Sequence, residues 1–234
     1  MSLAPDRGVV FISGASGALG SAVTDVFLAR GATVVGVASR WSSERADAHG
    51  ERFFTIDADL ETTAGAEAAV RTTVARAHRI DAVIHVAGGY VGGKTIAETD
   101  DATWDHMLNL NLRTAFNVFR AALPHLLAQK SGRLVAIGSR AGEQPVATLG
   151  AYGVSKAALS MLVRTIAAEV VNTGVTANIV LPSVIDTATN RVAMPKADFS
   201  RWVQPRAIAE LIAYLCSDLA RDVNGAAIPV YGGA

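Results

Sequence analysis

The sequence predicts one doubly wound α/β domain of three layers, built on a seven-stranded, mainly parallel sheet. Three observations carry that prediction. Seven short runs rich in Val, Ile and Ala recur along the chain, each is apolar throughout instead of alternating in polarity, and longer helical patterns separate them. Strands covered by helices on both faces read as continuous apolar runs, and strand–helix alternation builds a parallel sheet. The 234 residues suit one large domain, and no linker, repeat or composition break divides 1–234.

The elements follow in order. A strand over 9–13 runs into a glycine-rich turn and a helix near 18–30, and a second strand covers 33–38. The third strand, 52–56, precedes a helix over 63–78, and the fourth, 81–86, opens an irregular stretch of about 87–100. A long helix over 101–129 leads to the fifth strand, 133–138, then a helix over 151–172 and the sixth strand, 175–181. A second irregular stretch, about 182–204, a helix over 205–220 and a last strand at 226–231 complete the chain. Irregular segments of that length in a compact domain are usually functional loops or lids, and ligands of such sheets bind at the carboxyl ends of the strands, where both segments begin.

Composition narrows the partners. Lys plus Arg equals Asp plus Glu at 21 each, so the basic excess of a nucleic-acid binder is missing. Cys216 is the only cysteine, which rules out an intrachain disulfide and a cysteine zinc site. The five histidines, at 49, 78, 85, 106 and 125, show no paired ligand spacing, so no metal is expected. Residues 1–7 lack the order of a signal peptide, and the charge-free stretch 8–24 is too short and too rich in Gly and Ser to span a bilayer. A soluble, cytoplasmic protein with a small-molecule substrate and no membrane partner is the expectation.

Gly14, Ser16, Gly17, Ala18 and Leu19 lie in the string Gly14-Ala15-Ser16-Gly17-Ala18-Leu19-Gly20, between the first strand and the first helix. Glycines there permit a tight turn and close approach of backbone to a pyrophosphate, and the helix N-terminus supplies N–H donors. The turn predicts a Rossmann-like dinucleotide site. The second strand ends Ser39-Arg40, with no carboxylate for a ribose diol, and a guanidinium suits a 2′-phosphate. NADP(H) is therefore expected over NAD(H), the alternative being an ordinary surface arginine. Asp59, in Asp57-Ala58-Asp59-Leu60, is placed to accept from an adenine amino group, or else to cap the next helix. Ala87, Gly88 and Gly89 close the fourth strand, where small residues let a cofactor lie against the backbone.

Tyr152 and Lys156 fall at i and i+4 on one helical face, and Ser139 ends the fifth strand. A tyrosine near its ordinary pKa of ~10 is a poor acid–base group at neutral pH, and a nearby ammonium lowers that value. Ser139 would hydrogen-bond a substrate oxygen, Lys156 would donate to a nicotinamide ribose, and Tyr152 would supply a proton as hydride arrives.

On these pieces, with Asn111 in Asn109-Leu110-Asn111 and the string Asn178-Ile179-Val180-Leu181-Pro182, the chain resembles the short-chain dehydrogenase/reductase family over essentially its whole length. The resemblance implies a catalytic tetrad of Asn111, Ser139, Tyr152 and Lys156. Asn111 would stabilise a helix distortion and a water relaying protons to Lys156. It also implies cofactor contacts at Asp59, Leu60, Pro182, Val184 and Thr187, and a homodimer or homotetramer formed through helices 101–129 and 151–172. Departures from the family pattern are Ala18 where a glycine is usual, His85-Val86 for Asn-Asn, and Ser183 for the glycine after Pro182.

Three strings, Gly17-Ala18-Leu19-Gly20-Ser21, Ala87-Gly88-Gly89-Tyr90-Val91-Gly92-Gly93 and Met194-Pro195-Lys196-Ala197-Asp198-Phe199-Ser200-Arg201-Trp202, resemble dihydropteridine reductases. Ser139 and Asn111 belong to the general family instead. The leading expectation is an NADPH-dependent reductase of a small carbonyl or quinonoid compound. The alternatives are a dihydropteridine reductase proper and a non-catalytic NADP-binding sensor, against which the intact Tyr–Lys pair argues. Asn190, Met194, Phe199 and Trp202 form either a mobile lid or a fixed cluster. His85 is expected beside the cofactor and Cys216 in the core.

Overall fold

The structure is a computed structural model that describes residues 8–41 and 50–233. The reading of residues 1–7 as lacking a leader lies outside them. Seven strands form one sheet: β1 Val9–Ser13, β2 Thr33–Ala38, β3 Phe53–Asp57, β4 Ala82–His85, β5 Gly132–Ile137, β6 Val175–Pro182 and β7 Ala227–Val230. Their order is β3-β2-β1-β4-β5-β6-β7, and every pairing is parallel. The helices are α1 Ala18–Ala29, α2 Thr63–Ala77, α3 Asp101–Leu108, α4 Thr114–Gln129, α5 Gly150–Glu169, α6 Ala188–Ala193 and α7 Pro205–Leu215. The strand order reverses between β1 and β4, so a crevice opens outside the carboxyl ends of those two strands.

Successive side chains of a strand point to opposite faces, and each face has its own core. Phe11 joins Phe119, Leu126, Leu159 and Ile179 on one side. Its neighbours Val10 and Ile12 join Phe27, Ile84, Ile208 and Ile212 on the other. Cys216 lies in that second core as a buried thiol, and burial pushes its pKa up to about 12.

Two expectations are corrected. The single helix over 101–129 is interrupted by a π-helical turn at Asn109–Arg113, which separates α3 from α4. The stretch 182–204 is not structureless: it holds α6, a 3₁₀ turn at Phe199–Arg201 and a bridge between Ile185 and Val203. Thr187 caps α6, its Oγ1 accepting from the Asn190 N–H at 3.1 Å, and Asp186 binds Arg191 through both oxygens at 2.6 and 2.7 Å. Local polar contacts stand in for the apolar periodicity that would have marked these short elements.

The turn after β1 needs glycine for two different reasons. Gly14 adopts φ +72°, and a Cβ there would lie 2.6 Å from the Ala87 nitrogen. A Cβ on Gly20, inside α1, would lie 2.1 Å from the Gly14 carbonyl oxygen. Gly→Ala inside a helix ordinarily stabilises by up to about 1 kcal/mol. Gly20→Ala should instead destabilise by about 1–3 kcal/mol through overpacking, read by urea denaturation; a stabilised variant would refute the close approach.

Candidate active site

The glycine turn builds a cradle at the crevice. Gly17 caps α1 with no side-chain hydrogen bond, and the first turn of α1 carries no acidic residue, so side chains leave its amide donors open. A Cβ at Gly17 would meet only the Gly14 oxygen, at 3.5 Å. Ser39 and Arg40 follow β2 directly and are exposed, beside the point where the N–H of Gly14 donates to Val37. An uncapped helix end with room above Gly17 fits a dinucleotide phosphate group, and Arg40 lies on the strand end that adjoins this turn. Asp59 does not cap α2. Thr62 does that, accepting from the Gly65 N–H, while Asp59 Oδ1 accepts from the Glu61 N–H at 3.0 Å. Leu60 is buried, and its carbonyl accepts from Asn117 Nδ2 at 3.1 Å.

Asn111 sits on the π turn, fully buried. Its Oδ1 accepts from the Gly89 N–H at 2.9 Å, and its Nδ2 donates to the Gly89 carbonyl at 3.1 Å and to Ser155 Oγ at 3.0 Å. The wider turn thus delivers one amide that holds both backbone groups of the segment after β4 and ties them to α5. A Cβ on Gly88 would lie 2.7 Å from Asn111 Oδ1 and 3.1 Å from Lys156 Nζ, so both atoms reach the same space above Gly88.

Tyr152, Ser155 and Lys156 all come from the amino-terminal half of α5. Lys156 is only 5% exposed, and its Nζ donates to the Ile137 carbonyl at 2.9 Å, anchoring the ammonium under the end of β5. Burial pulls its pKa down to about 8. Ser139, also buried, accepts from the Ala141 N–H at 3.2 Å and hydrogen-bonds the Tyr152 phenol. The expectation of a lowered tyrosine pKa is corrected. Burial raises the Tyr152 phenol above its ordinary value, the bond with Ser139 opposes that, and Tyr90 adds to it. Held so, Tyr152 keeps its proton at neutral pH.

Two contacts go beyond the sequence expectations, which name Tyr90 only within a string and place His85 beside the cofactor. Tyr90, 63% exposed, sets its ring edge-on to Tyr152 with centroids 5.1 Å apart. Gly92 leaves room for it, since a Cβ there would lie 2.7 Å from the Tyr90 hydroxyl. His85 stands opposite Ser13 in the β1–β4 register, and its Nδ1 lies 2.8 Å from Ser13 Oγ. Its Nε2 lies 3.3 Å from Thr114 Oγ1, which in turn donates to the Leu110 carbonyl in the π turn. Complete burial and the Lys156 charge push its pKa down to about 3, so it is a neutral structural imidazole. The replacement of the family's asparagine by His85 was the available signal for this link.

Pro182 ends β6 buried, Val184 accepts from the Val203 N–H, and Thr187 caps α6, so all three lie where β6 passes into the segment 183–204. Within that segment Phe199 and Trp202 pack at 4.7 Å between centroids, Arg191 lies over Phe199 at 4.8 Å, and Asn190 Nδ2 donates to the Ile185 carbonyl. Met194 and Val192 are exposed at its tip. Among the described residues no cluster of three or more His, Cys, Asp or Glu is arranged to hold a metal ion. Nor is any helix among them long and apolar enough to cross a membrane.

Comparison with known proteins bears on the family and the fold. The family model for short chain dehydrogenases matches residues 8–198. The chain is 26% identical to a 3-oxoacyl-[acyl-carrier-protein] reductase of Vibrio harveyi, covering 96% of each chain. It is 28% identical to the 2,3-dihydro-2,3-dihydroxybenzoate dehydrogenase of Escherichia coli, again over 96% of each. The crystal structure of gox2181 superposes with a TM-score of 0.92 at 27% identity, covering 99% of this chain and 97% of the other.

Asn111→Leu keeps the side-chain size and leaves the Gly89 N–H and carbonyl unpaired. It should destabilise the fold by about 1–3 kcal/mol, measured by chemical denaturation; an unchanged midpoint would refute the clamp.

Proposed function

The chain belongs to the short chain dehydrogenase family of oxidoreductases, and on that premise we propose that it is an NADPH-dependent reductase of a small carbonyl or quinonoid compound, with Tyr152 as proton donor. The observation that supports this most is the grouping of Ser139, Tyr152 and Lys156 at the end of β5, with Lys156 Nζ and Asn111 Oδ1 both reaching the space above Gly88. The Gly14–Gly20 turn and the first amides of α1, including those at Gly17, Ala18 and Leu19, would hold the pyrophosphate, with Ser16 beside it. Ser39 and Arg40 would bind a 2′-phosphate, Asp59 and Leu60 the adenine side. Lys156 would take the nicotinamide ribose, and Ala87, Gly88, Gly89, Pro182, Val184 and Thr187 would border the nicotinamide. A bound NADPH supplies the hydride.

The chain's own residues handle the proton. Ser139 Oγ donates to the substrate oxygen and orients it. The Tyr152 hydroxyl gives its proton to that oxygen as negative charge develops there. The Lys156 ammonium stabilises the phenolate that results and then gives it a proton, and a water beside Asn111 would return a proton to Lys156. The segment 186–202 covers the substrate as a lid hinged at its polar base.

A second reading, reduction of a quinonoid dihydropterin, rests on the sequence strings that contain Tyr90 and Trp202. The general carbonyl reading stands first because the 3-oxoacyl reductase and the diol dehydrogenase reported above act on oxygen substituents of carbon. Assembly as a homodimer or homotetramer is supported by an open apolar groove of about 380 Å³ on the outer side of the π turn, α4 and α5, where Phe116 and Leu162 contribute.

Tyr152→Phe should lower turnover about 10²–10⁴-fold with NADPH binding retained. Retained turnover, or saturable NADPH binding with no acceptor reduced, would overturn the reductase reading, the latter in favour of a sensor. Because Lys156 is charged below about pH 8 and neutral above it, the reduction rate should fall as pH rises through that value, while Tyr152 keeps its proton over the same range. A rate that rises across pH 8 would exclude Lys156 as the stabilising cation. Arg40→Ala should raise KM for NADPH about 10- to 100-fold and leave KM for NADH nearly unchanged; equal effects on both would remove the 2′-phosphate contact.

A further inference from the structure

Arg140 follows Ser139 directly, and the structure places its charge where no acidic side chain among the described residues pairs with it. Ser139 ends β5, and Arg140 begins a 3₁₀ turn, Arg140–Gly142, on the same carboxyl edge of the sheet. Its side chain is half-buried and held at two points. Nε donates to Gln144 Oε1 at 2.8 Å, and the guanidinium lies over the Tyr231 ring, 5.3 Å from its centroid. Tyr231 follows β7, and its carbonyl accepts from Ser183 Oγ at 2.7 Å, so Arg140 joins the end of β5 to the end of β7, beside the residue that follows β6. Gly233, two residues on, exchanges hydrogen bonds with Arg201.

These two anchors leave both terminal nitrogens of Arg140 without a protein partner among the described residues. The acidic side chains of the surrounding segments are committed elsewhere. Asp186 binds Arg191 and Gln204, Asp198 accepts from the N–H and hydroxyl of Ser200, and Glu143 faces Arg164 at 3.6 Å. Arg191 already binds both Asp186 oxygens through Nε and Nη2. A half-buried guanidinium with its planar end free and its orientation already paid for is a fork that matches a carboxylate.

We propose that Arg140 determines specificity by binding a carboxylate on the substrate, so that the protein acts on oxo acids. This rests on the reductase reading, since the reacting carbonyl is the one Ser139 and Tyr152 address. Arg140 touches the far end of the substrate and takes no part in the proton transfer.

The test separates the two readings by measuring binding and turnover on the same compounds. Acetoacetate and 4-oxopentanoate, each beside its methyl ester, are titrated by calorimetry into the NADP⁺-loaded protein and assayed for NADPH oxidation. At least one acid should bind about 10- to 100-fold more tightly than its ester. Arg140→Gln and Arg140→Met should collapse that acid-to-ester ratio towards one, and Arg140→Lys, which keeps the charge without the fork, should leave an intermediate ratio. Esters bound as tightly as both acids, or a ratio that survives substitution, would overturn the proposal. Should the first two variants fail to fold, an unchanged ratio in Arg140→Lys overturns it and a reduced one supports it. A ratio behaving as expected with no NADPH oxidised by any of the four compounds would fault the reductase reading alone.

Discussion

The crevice exists because two stretches of backbone touch. Gly14 comes so near Ala87 that no side chain fits between them, and Gly20 rests on the Gly14 carbonyl in the same way. These contacts lie where the strand order reverses, between β1 and β4. They hold α1 with its open amide end against the segment Ala87–Gly89 and set the floor on which a ligand would lie. A residue larger than glycine at either point would have to push α1 away from the sheet. The rest of the site is arranged above that floor.

Polar groups that are costly to bury link the floor to its walls. A sheet as apolar as this one accepts Ser13 and His85 because they pair across the β1–β4 register, and Thr114 takes up the far side of the imidazole. Thr114 and Asn111 belong to one interruption of one helix. The π turn widens the backbone by a residue, and the amide it releases reaches Gly89 and Ser155. Through these bonds the segment after β4 and the helix bearing Tyr152 are held in one register, each bond satisfying a group that would otherwise be buried unpaired.

Burial also tunes the two ionisable groups in opposite directions. Desolvation makes the Tyr152 phenol a weaker acid and the Lys156 ammonium a stronger one. A phenol that holds its proton beside a cation that can still support its conjugate base suits proton donation during reduction. The same carboxyl edge of the sheet carries Arg140, directly after Ser139.

The order of strands and helices, the glycine turn and the Tyr152–Lys156 pair were legible in the sequence because each is a local pattern. Apolar runs mark buried strands, a tight turn requires glycine, and a four-residue spacing shares a helical face. Asn111, Asp59 and the stretch 182–204 were legible only in part. Nothing in periodicity separates a π turn from an α-helix, Thr62 displaced Asp59 as the cap, and α6 is too short to show a period. Tyr90, the Ser13–His85–Thr114 link and the two anchors of Arg140 were decided by the tertiary structure alone. Each joins residues from different strands or loops, and a spacing along the chain carries no record of which strand ends the sheet order will bring together.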